Sequence, residues 1–164
     1  MSPPAIRTAV PDDLDAVAAP HAEVRATYYR GHVPEADYDG PAERARVRAG
    51  WTRALAEKDP EAAVLCAVDD TGLAGIAAYR PVGGGMTLTQ FHVAPDRWRR
   101  GIGSALHSAC VGVWQRAGVG TARLEVYEHN ARAQSFYARH GWYPDPHQPR
   151  HDTHFVLRFA VPES

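Results

Sequence analysis

The residues best placed to do chemistry lie between Val93 and Leu106, VAPDRWRRGIGSAL. Arg97, Arg99 and Arg100 stand directly before Gly101-Ile102-Gly103, where alternating residues give way to helical spacing. A helix N-terminus leaves backbone N–H groups unpaired and carries partial positive charge. Glycines there let the backbone come close to an anion. Guanidiniums add full charges with forked donors. The stretch therefore suits a pyrophosphate, with room for a second phosphate nearby. The competing explanation is a solvated basic turn that only caps a helix.

Three nucleotide-type ligands compete for such a loop. A P-loop places Gly-Lys-Ser/Thr after its glycines, and GIGSAL has no lysine. A dinucleotide fingerprint needs a third small residue, but Leu106 stands there. Glu125, about 20 residues downstream at a strand end, fits that fold, yet the loop follows a β meander and not an opening βαβ unit. The third possibility is the pyrophosphate of coenzyme A. Elsewhere His147, His151 and His154 in HQPRHDTH have the look of a metal cluster. Their spacing is loose, they sit among prolines, and no cysteine or Glu-x-x-His partner accompanies them. They read better as a solvated loop or the lip of a binding site, and no metal is expected.

The elements that must position these residues follow from periodicity. Ile102, Ala105, Leu106, Ala109 and Val113 fall at i, i+3, i+4, i+7 and i+11, an amphipathic helix to about Ala117. Before it, AAVLCAVDD, GLAGIAAYRP and MTLTQFHVAP form a three-strand meander, with Gly83–Gly85 as a loop and Pro95 closing the last strand. After it come a strand in ARLEVYE, a helix ARAQSFYARH capped by Asn130, and a final strand His154–Val161. At the start, Ile6–Val10 is a strand and the helical segment from Pro11 is broken at Pro20. Arg30–Pro41 is a loop, and Ala42–Lys58 is a helix with Val47, Trp51 and Leu55 on one face. The result is an α+β (mixed α/β) fold with antiparallel hairpins and one parallel crossover, from TLTQFHV through the helix to RLEVY.

Composition sets outer limits. A chain of 164 residues fits a single domain spanning 1–164. A net charge of −1 gives no general attraction to nucleic acid or anionic membrane, so neither is expected as a partner. Lys58 is the only lysine, and the arginine bias carries no functional conclusion. Cys66 and Cys110 sit in apolar contexts and read as buried free thiols. The N-terminus has no basic region followed by an apolar run, and no apolar stretch approaches the roughly 20 residues of a membrane span. A reduced, cytoplasmic location is the expectation.

From Ile6 to Phe159 the chain resembles the GCN5-related N-acetyltransferases. The cofactor motif of that family is Gln/Arg-x-x-Gly-x-Gly/Ala, following a strand that ends Val-x-Pro. Here HVAP is followed by DRWRRGIGSAL, so Gly101 and Gly103 match and Trp98 stands where Gln or Arg is usual. Arg97 or Arg99 is placed to supply the missing charge. The second motif, Asn-x-x-Ala-x-x-Phe-Tyr-x-x-x-Gly-Phe/Trp, is matched throughout by NARAQSFYARHGW, Asn130–Trp142. YYRGHVPEADYDG is similar to the helix–loop region of many bacterial small-molecule members.

The resemblance implies a mostly antiparallel central sheet flanked by helices, with a splayed parallel strand pair at the cofactor site. It implies acetyl-CoA as cosubstrate, held by the loop residues Arg99, Arg100, Gly101, Ile102, Gly103 and Ser104, by Asn130, and by the main chain at His92 and Val93. Tyr137 is the implied acid for the departing thiolate, since a phenol with a pKa near 10 matches that leaving group. An N–H on the splayed strand would polarise the thioester carbonyl. For a general base, Glu125, Glu128, His92 and His129 all stay open, as does a water chain. Tyr28, Tyr29, His32 and Tyr38 could line the acceptor pocket or be ordinary packing aromatics. The expected reaction is direct attack of a primary amine on the thioester. A small-molecule acceptor is favoured, with a protein N-terminus or lysine, or a non-catalytic acyl-CoA-binding module, as alternatives. A homodimer is possible within the resembled family.

Overall fold

The computed structural model describes residues 3–164. Its elements are β1 (Ala5–Thr8), α1 (Leu14–Ala18), α2 (His21–Tyr29), α3 (Ala36–Asp39), α4 (Pro41–Leu55), β2 (Ala63–Asp69), β3 (Gly72–Val82), β4 (Gly85–Val93), α5 (Ile102–Arg116), β5 (Thr121–Tyr127), α6 (Ala131–Arg139), β6 (Tyr143–Pro144), β7 (Arg150–His151) and β8 (His154–Ala160). The strands form one sheet in the order β1-β2-β3-β4-β5-β8-β6, with β7 also paired to β8. All neighbours are antiparallel except β4 and β5. This is the mixed α+β architecture expected from the pattern. Pro20 separates α1 from α2, as its missing N–H and fixed φ require.

Three local features differ from the sequence reading. The segment after α2 contains the short helix α3, whose Tyr38 is buried. The fourth helix opens on Pro41 at its first position and ends at Leu55, before Lys58. β6 and β7, two residues each, lie in the Pro-rich stretch that carries no strand signal.

Strand alternation divides the core in two. On one face Val64, Cys66, Ile76 and Ala78 pack against Val17 and Trp51 of α1 and α4. On the other, Leu65, Ala67, Ala77 and Tyr79 pack against Ile102, Leu106, Cys110 and Trp114 of α5. Leu106 and Trp114 are fully buried, and burial of a leucine side chain stabilises by about 1.5–3 kcal/mol. α5 presses so closely on β3 that a Cβ at Gly75 would lie 2.9 Å from Leu106 Cδ1. Cys66 and Cys110 are buried free thiols.

Each face of the sheet contains a buried indole that donates to a histidine. On the α4 side, Trp51 Nε1–H donates to His21 Nδ1 at 3.2 Å. On the α5 side, Trp142 Nε1–H donates to His107 Nε2 at 2.9 Å. Both histidines must be neutral, because a protonated imidazole has no lone pair to accept. Burial depresses each, to about 4, with Arg25 adding to the effect at His21 and His140 at His107. Between an ordinary value near 6.5 and about 4, the unfolded chain binds more protons than the folded one. Stability is therefore present above that window and is lost as pH falls through it. The denaturant midpoint should fall on acidification from about pH 6.5 to about pH 4. His107→Gln, an acceptor that does not titrate, should flatten part of that slope. A midpoint constant across the window would contradict the assignment.

Candidate active site

The site arises where the only parallel pair among the described residues comes apart. β4 and β5 pair at Met86↔Ala122 and Thr87↔Arg123 and nowhere beyond. β4 remains bonded to β3 as far as Gly75↔Val93. β5 remains bonded to β8 along all seven residues from Thr121 to Tyr127. The divergence begins at a β-bulge. Gln90 pairs with Ala78 and Leu88 with Tyr79, which leaves Thr89 as the extra residue. The Thr89 hydroxyl donates to Ala78 O at 3.1 Å and holds the bulge.

Beyond the bulge, Ala94 N–H donates to Ala74 O at 2.8 Å. Antiparallel alternation then directs the main-chain groups of Phe91 and Val93 into the gap and those of His92 towards β3. Of the two main-chain residues expected at the cofactor, Val93 has its amide facing the gap. His92 enters by its imidazole, on the opposite face.

A cavity of about 450 Å³ fills the gap and extends to both sides of the sheet. Its cofactor end is built from the loop before α5. Gly101 adopts φ +78°, a left-handed conformation natural for glycine, and delivers the chain into the first turn of α5. A Cβ at Gly103 would come within 3.1 Å of Phe136 Cε2, so the small residue lets α5 and α6 approach. Arg99, Gly101, Ile102, Gly103 and Ser104 all line the cavity, whereas Arg100 does not, and its charge acts on Asp69. Arg97 is held by Asp69 at 3.2 Å and by Leu73 O at 2.9 Å, so Arg99 is the freer cation. His140 Nδ1 faces Phe136 O at 2.8 Å and must carry the proton there, leaving Nε2 to accept from Ser104 Oγ at 3.1 Å.

Trp98 occupies the position of the usual Gln or Arg and does something different. Its indole N–H donates to Val93 O at 2.9 Å, and the Arg132 guanidinium lies 3.6 Å from its ring centroid. Trp98 therefore pins the end of β4 to the glycine loop and to the first turn of α6. Asn130 caps α6 by accepting from Ala133 N–H at 3.2 Å, and it lines the cavity as well. Tyr137 is buried on α6 between Phe91 and Trp142 and borders the cavity. Burial raises its phenol well above the ordinary value, so it stays protonated.

The acceptor end is walled by α2 and by the ends of β5 and β8. His92 lies edge-on to His21, ring centroids 5.6 Å apart. Burial, and secondarily His21, depresses His92 to about 3. Glu125 lines the cavity but is held by His151 at 2.9 Å and Arg123 at 3.2 Å. Burial opposes its charge, but His151 and Arg123 outweigh this and keep it below the ordinary carboxylate value. Glu128 and His129 lie outside the cavity lining, Glu128 paired with Arg150 at 2.5 Å. Tyr28 and Tyr29 line the cavity with Tyr127, while Tyr38 stacks behind Tyr29.

The three loop histidines disperse. His147 N–H bonds Asp145, His151 bonds Glu125, and His154 packs beside Tyr127. Among the described residues no three His, Cys, Asp or Glu side chains are grouped to hold a metal. His21, Arg25 and Arg46 also line the cavity. Sequence reasoning missed them because a polar residue inside a helix carries no sign of which cavity it faces.

The cavity thus lies between a splayed parallel pair, a glycine loop opening a helix and an inward tyrosine on the following helix. Residues 23–142 match the acetyltransferase (GNAT) family, and the chain belongs to that family. The family uses acetyl-CoA and acts on amine acceptors. No curated protein matches the sequence significantly. Among solved structures, the chain is similar to PaiA N-acetyltransferase from Thermoplasma acidophilum in complex with coenzyme A. That likeness has TM-score 0.82 and 18% identity, covering 98% of this chain and 99% of that one. A GCN5-related N-acetyltransferase structure from Rhodopseudomonas palustris aligns with TM-score 0.75 and 19% identity over 98% of each chain. The ribosomal-protein-S18-alanine N-acetyltransferase from Escherichia coli aligns with TM-score 0.71 and 18% identity, over 98% of this chain and 96% of that one. At these identities the likeness is one of fold.

The left-handed backbone at Gly101 makes a direct prediction. A β-branched side chain is strongly disfavoured at φ +78°, so Gly101→Val must rebuild the loop. Its calorimetric affinity for coenzyme A should fall by about tenfold or more, the loss of roughly one charged hydrogen bond. Unchanged affinity would show that the loop does not hold the phosphates.

Proposed function

We propose that this protein moves the acetyl group of acetyl-CoA to a primary amine of a small molecule by direct attack on the thioester. Acetyl-CoA supplies the activated acyl group, and the chain's own groups bind, orient and move protons. The amides of Gly101, Ile102, Gly103 and Ser104 at the start of α5 hold the pyrophosphate, with Arg99 beside them. The pantetheine arm takes the place of the missing β4–β5 ladder. The Val93 N–H polarises the acetyl carbonyl where negative charge develops. Tyr137 gives its proton to the departing thiolate; burial keeps the phenol protonated but also raises it above the value near 10 that matches the leaving group, so the proton moves only as negative charge develops on sulfur.

No side chain acts as a dedicated base. His92, depressed to about 3, is too weak to take a proton from an ammonium, though as a neutral imidazole it can accept a hydrogen bond from the amine. Glu125 is engaged by two cationic partners. The amine therefore arrives neutral, and water carries its proton away.

The observation that supports a small acceptor is the size of the cavity, about 450 Å³, which falls in the range of roughly 300–1,000 Å³ typical of small-molecule sites.

Two outcomes test the chemistry. Tyr137→Phe should lower kcat by about 10²-fold, the lower range of general-acid effects, with little change in coenzyme A affinity. Full activity at every pH would remove Tyr137 from the mechanism. Second, kcat/KM should rise with pH until the acceptor amine itself is deprotonated, and His92→Gln should leave that midpoint in place. A midpoint that follows an enzyme group instead of the amine would establish a base.

A further inference from the structure

The far wall of the acceptor end carries an excess of positive charge that neither the acetyl-CoA site nor the proton chemistry uses. Arg25 on α2 donates to Glu43 Oε1 at 2.6 Å, and Arg46 on α4 donates to Glu43 Oε2 at 2.9 Å. Two guanidiniums thus share one carboxylate, leaving one net positive charge. Arg25 and Glu43 are shielded, their side chains only 15% and 13% exposed, whereas Arg46 closes the group from the solvent side and is 68% exposed. Both arginines line the cavity and Glu43 does not. The opposite wall does not cancel them, since Glu125 is already paired with Arg123 and His151.

The field reaches the reaction end. His21, beside His92, is depressed first by burial and then by Arg25 and Arg46, with Glu43 opposing more weakly. The rest of the wall is aromatic: Tyr29 lies 4.6 Å from Tyr28 and 4.7 Å from Tyr127, centroid to centroid. The Tyr29 ring is already covered by Arg25 at 5.1 Å, so it does not offer a free face to a second cation. A polycationic amine would meet like charge here and find no unpaired acid.

We propose that the acceptor is an amine that also carries a carboxylate, bound by Arg46 and Arg25 with its amino group directed past His92 into the β4–β5 gap. The claim rests on the N-acetyltransferase function above. In the transfer the amine nitrogen bonds the acetyl carbon, the carbon–sulfur bond breaks, the amine proton leaves to water, and the thiolate gains a proton from Tyr137, which water reprotonates. Arg46 Nε and Nη2 already bond Glu43, so its outer Nη1–Nη2 edge is the fork that pairs with the carboxylate, an interaction that a carboxamide cannot match in charge.

The test is coenzyme A release by the full chain with the protein amino acids, each matched to its carboxamide, and with spermidine. At least one amino acid should exceed its carboxamide in kcat/KM by about tenfold or more, the worth of a charged hydrogen bond. Arg46→Gln should reduce that ratio, and Glu43→Gln, which frees both guanidiniums, should increase it. Coenzyme A binding by each variant confirms that it is folded. Carboxamides or spermidine used as well as the acids, or a ratio indifferent to both substitutions, would overturn the carboxylate site and leave the N-acetyltransferase function standing. Acetyl-CoA bound with no acceptor turned over would overturn both.

Discussion

Everything in this site depends on two strands that begin as neighbours and are then pulled to opposite partners. β4 follows β3, and β5 follows β8. The gap between them exposes main-chain donors and acceptors that no strand completes. Unpaired buried backbone groups cost free energy, so the gap is stable only where a ligand or water can enter. The extended, amide-bearing arm of coenzyme A, proposed to lie there, would meet that requirement in the manner of an added strand. The Thr89 bulge releases β4 from the parallel ladder, and close packing of α5 on Gly75 keeps the phosphate loop at the mouth of the gap.

Two further devices keep the gap in register with its surroundings. Trp98 ties the Val93 carbonyl to the loop and stacks on Arg132, so the departure from the family's usual residue exchanges a polar contact for a mechanical one. The Trp–His pairs on the two faces of the sheet do related work. Trp51 holds His21 at the acceptor end, and Trp142 holds His107 behind the cofactor-side helices. Each supplies a donor to a buried ring that could not accept it in charged form. Neutral histidines at the acceptor end also keep ionic character concentrated where arginine provides it.

The cofactor half of the site was legible in the residues because its motifs are local. Gly101, Gly103, Asn130 and Tyr137 work through the backbone of one turn or one helix face, and their spacing along the chain is their spacing in space. The acceptor half was legible only in Tyr28 and Tyr29, two of the candidates for its wall, which line the cavity. His21, Arg25, Arg46 and Tyr127 come from α2, α4 and β5, and no short-range pattern relates them. The base candidates show the same limit. Sequence proximity grouped Glu125, Glu128, His92 and His129, yet only Glu125 and His92 border the cavity. The short strands β6 and β7 also escaped, being two residues long and formed only by pairing with β8.

By itself, then, the sequence determined the class of fold, the family and the glycine turn that opens α5, because hydrophobic period, glycine placement and helix capping are properties of neighbouring residues. Tertiary structure alone decided where β4 leaves β5, which amide of β4 faces the gap, and which charges share the acceptor end. Those outcomes depend on a bulge and on long-range pairing, in which a one-residue shift turns every following group to the other side.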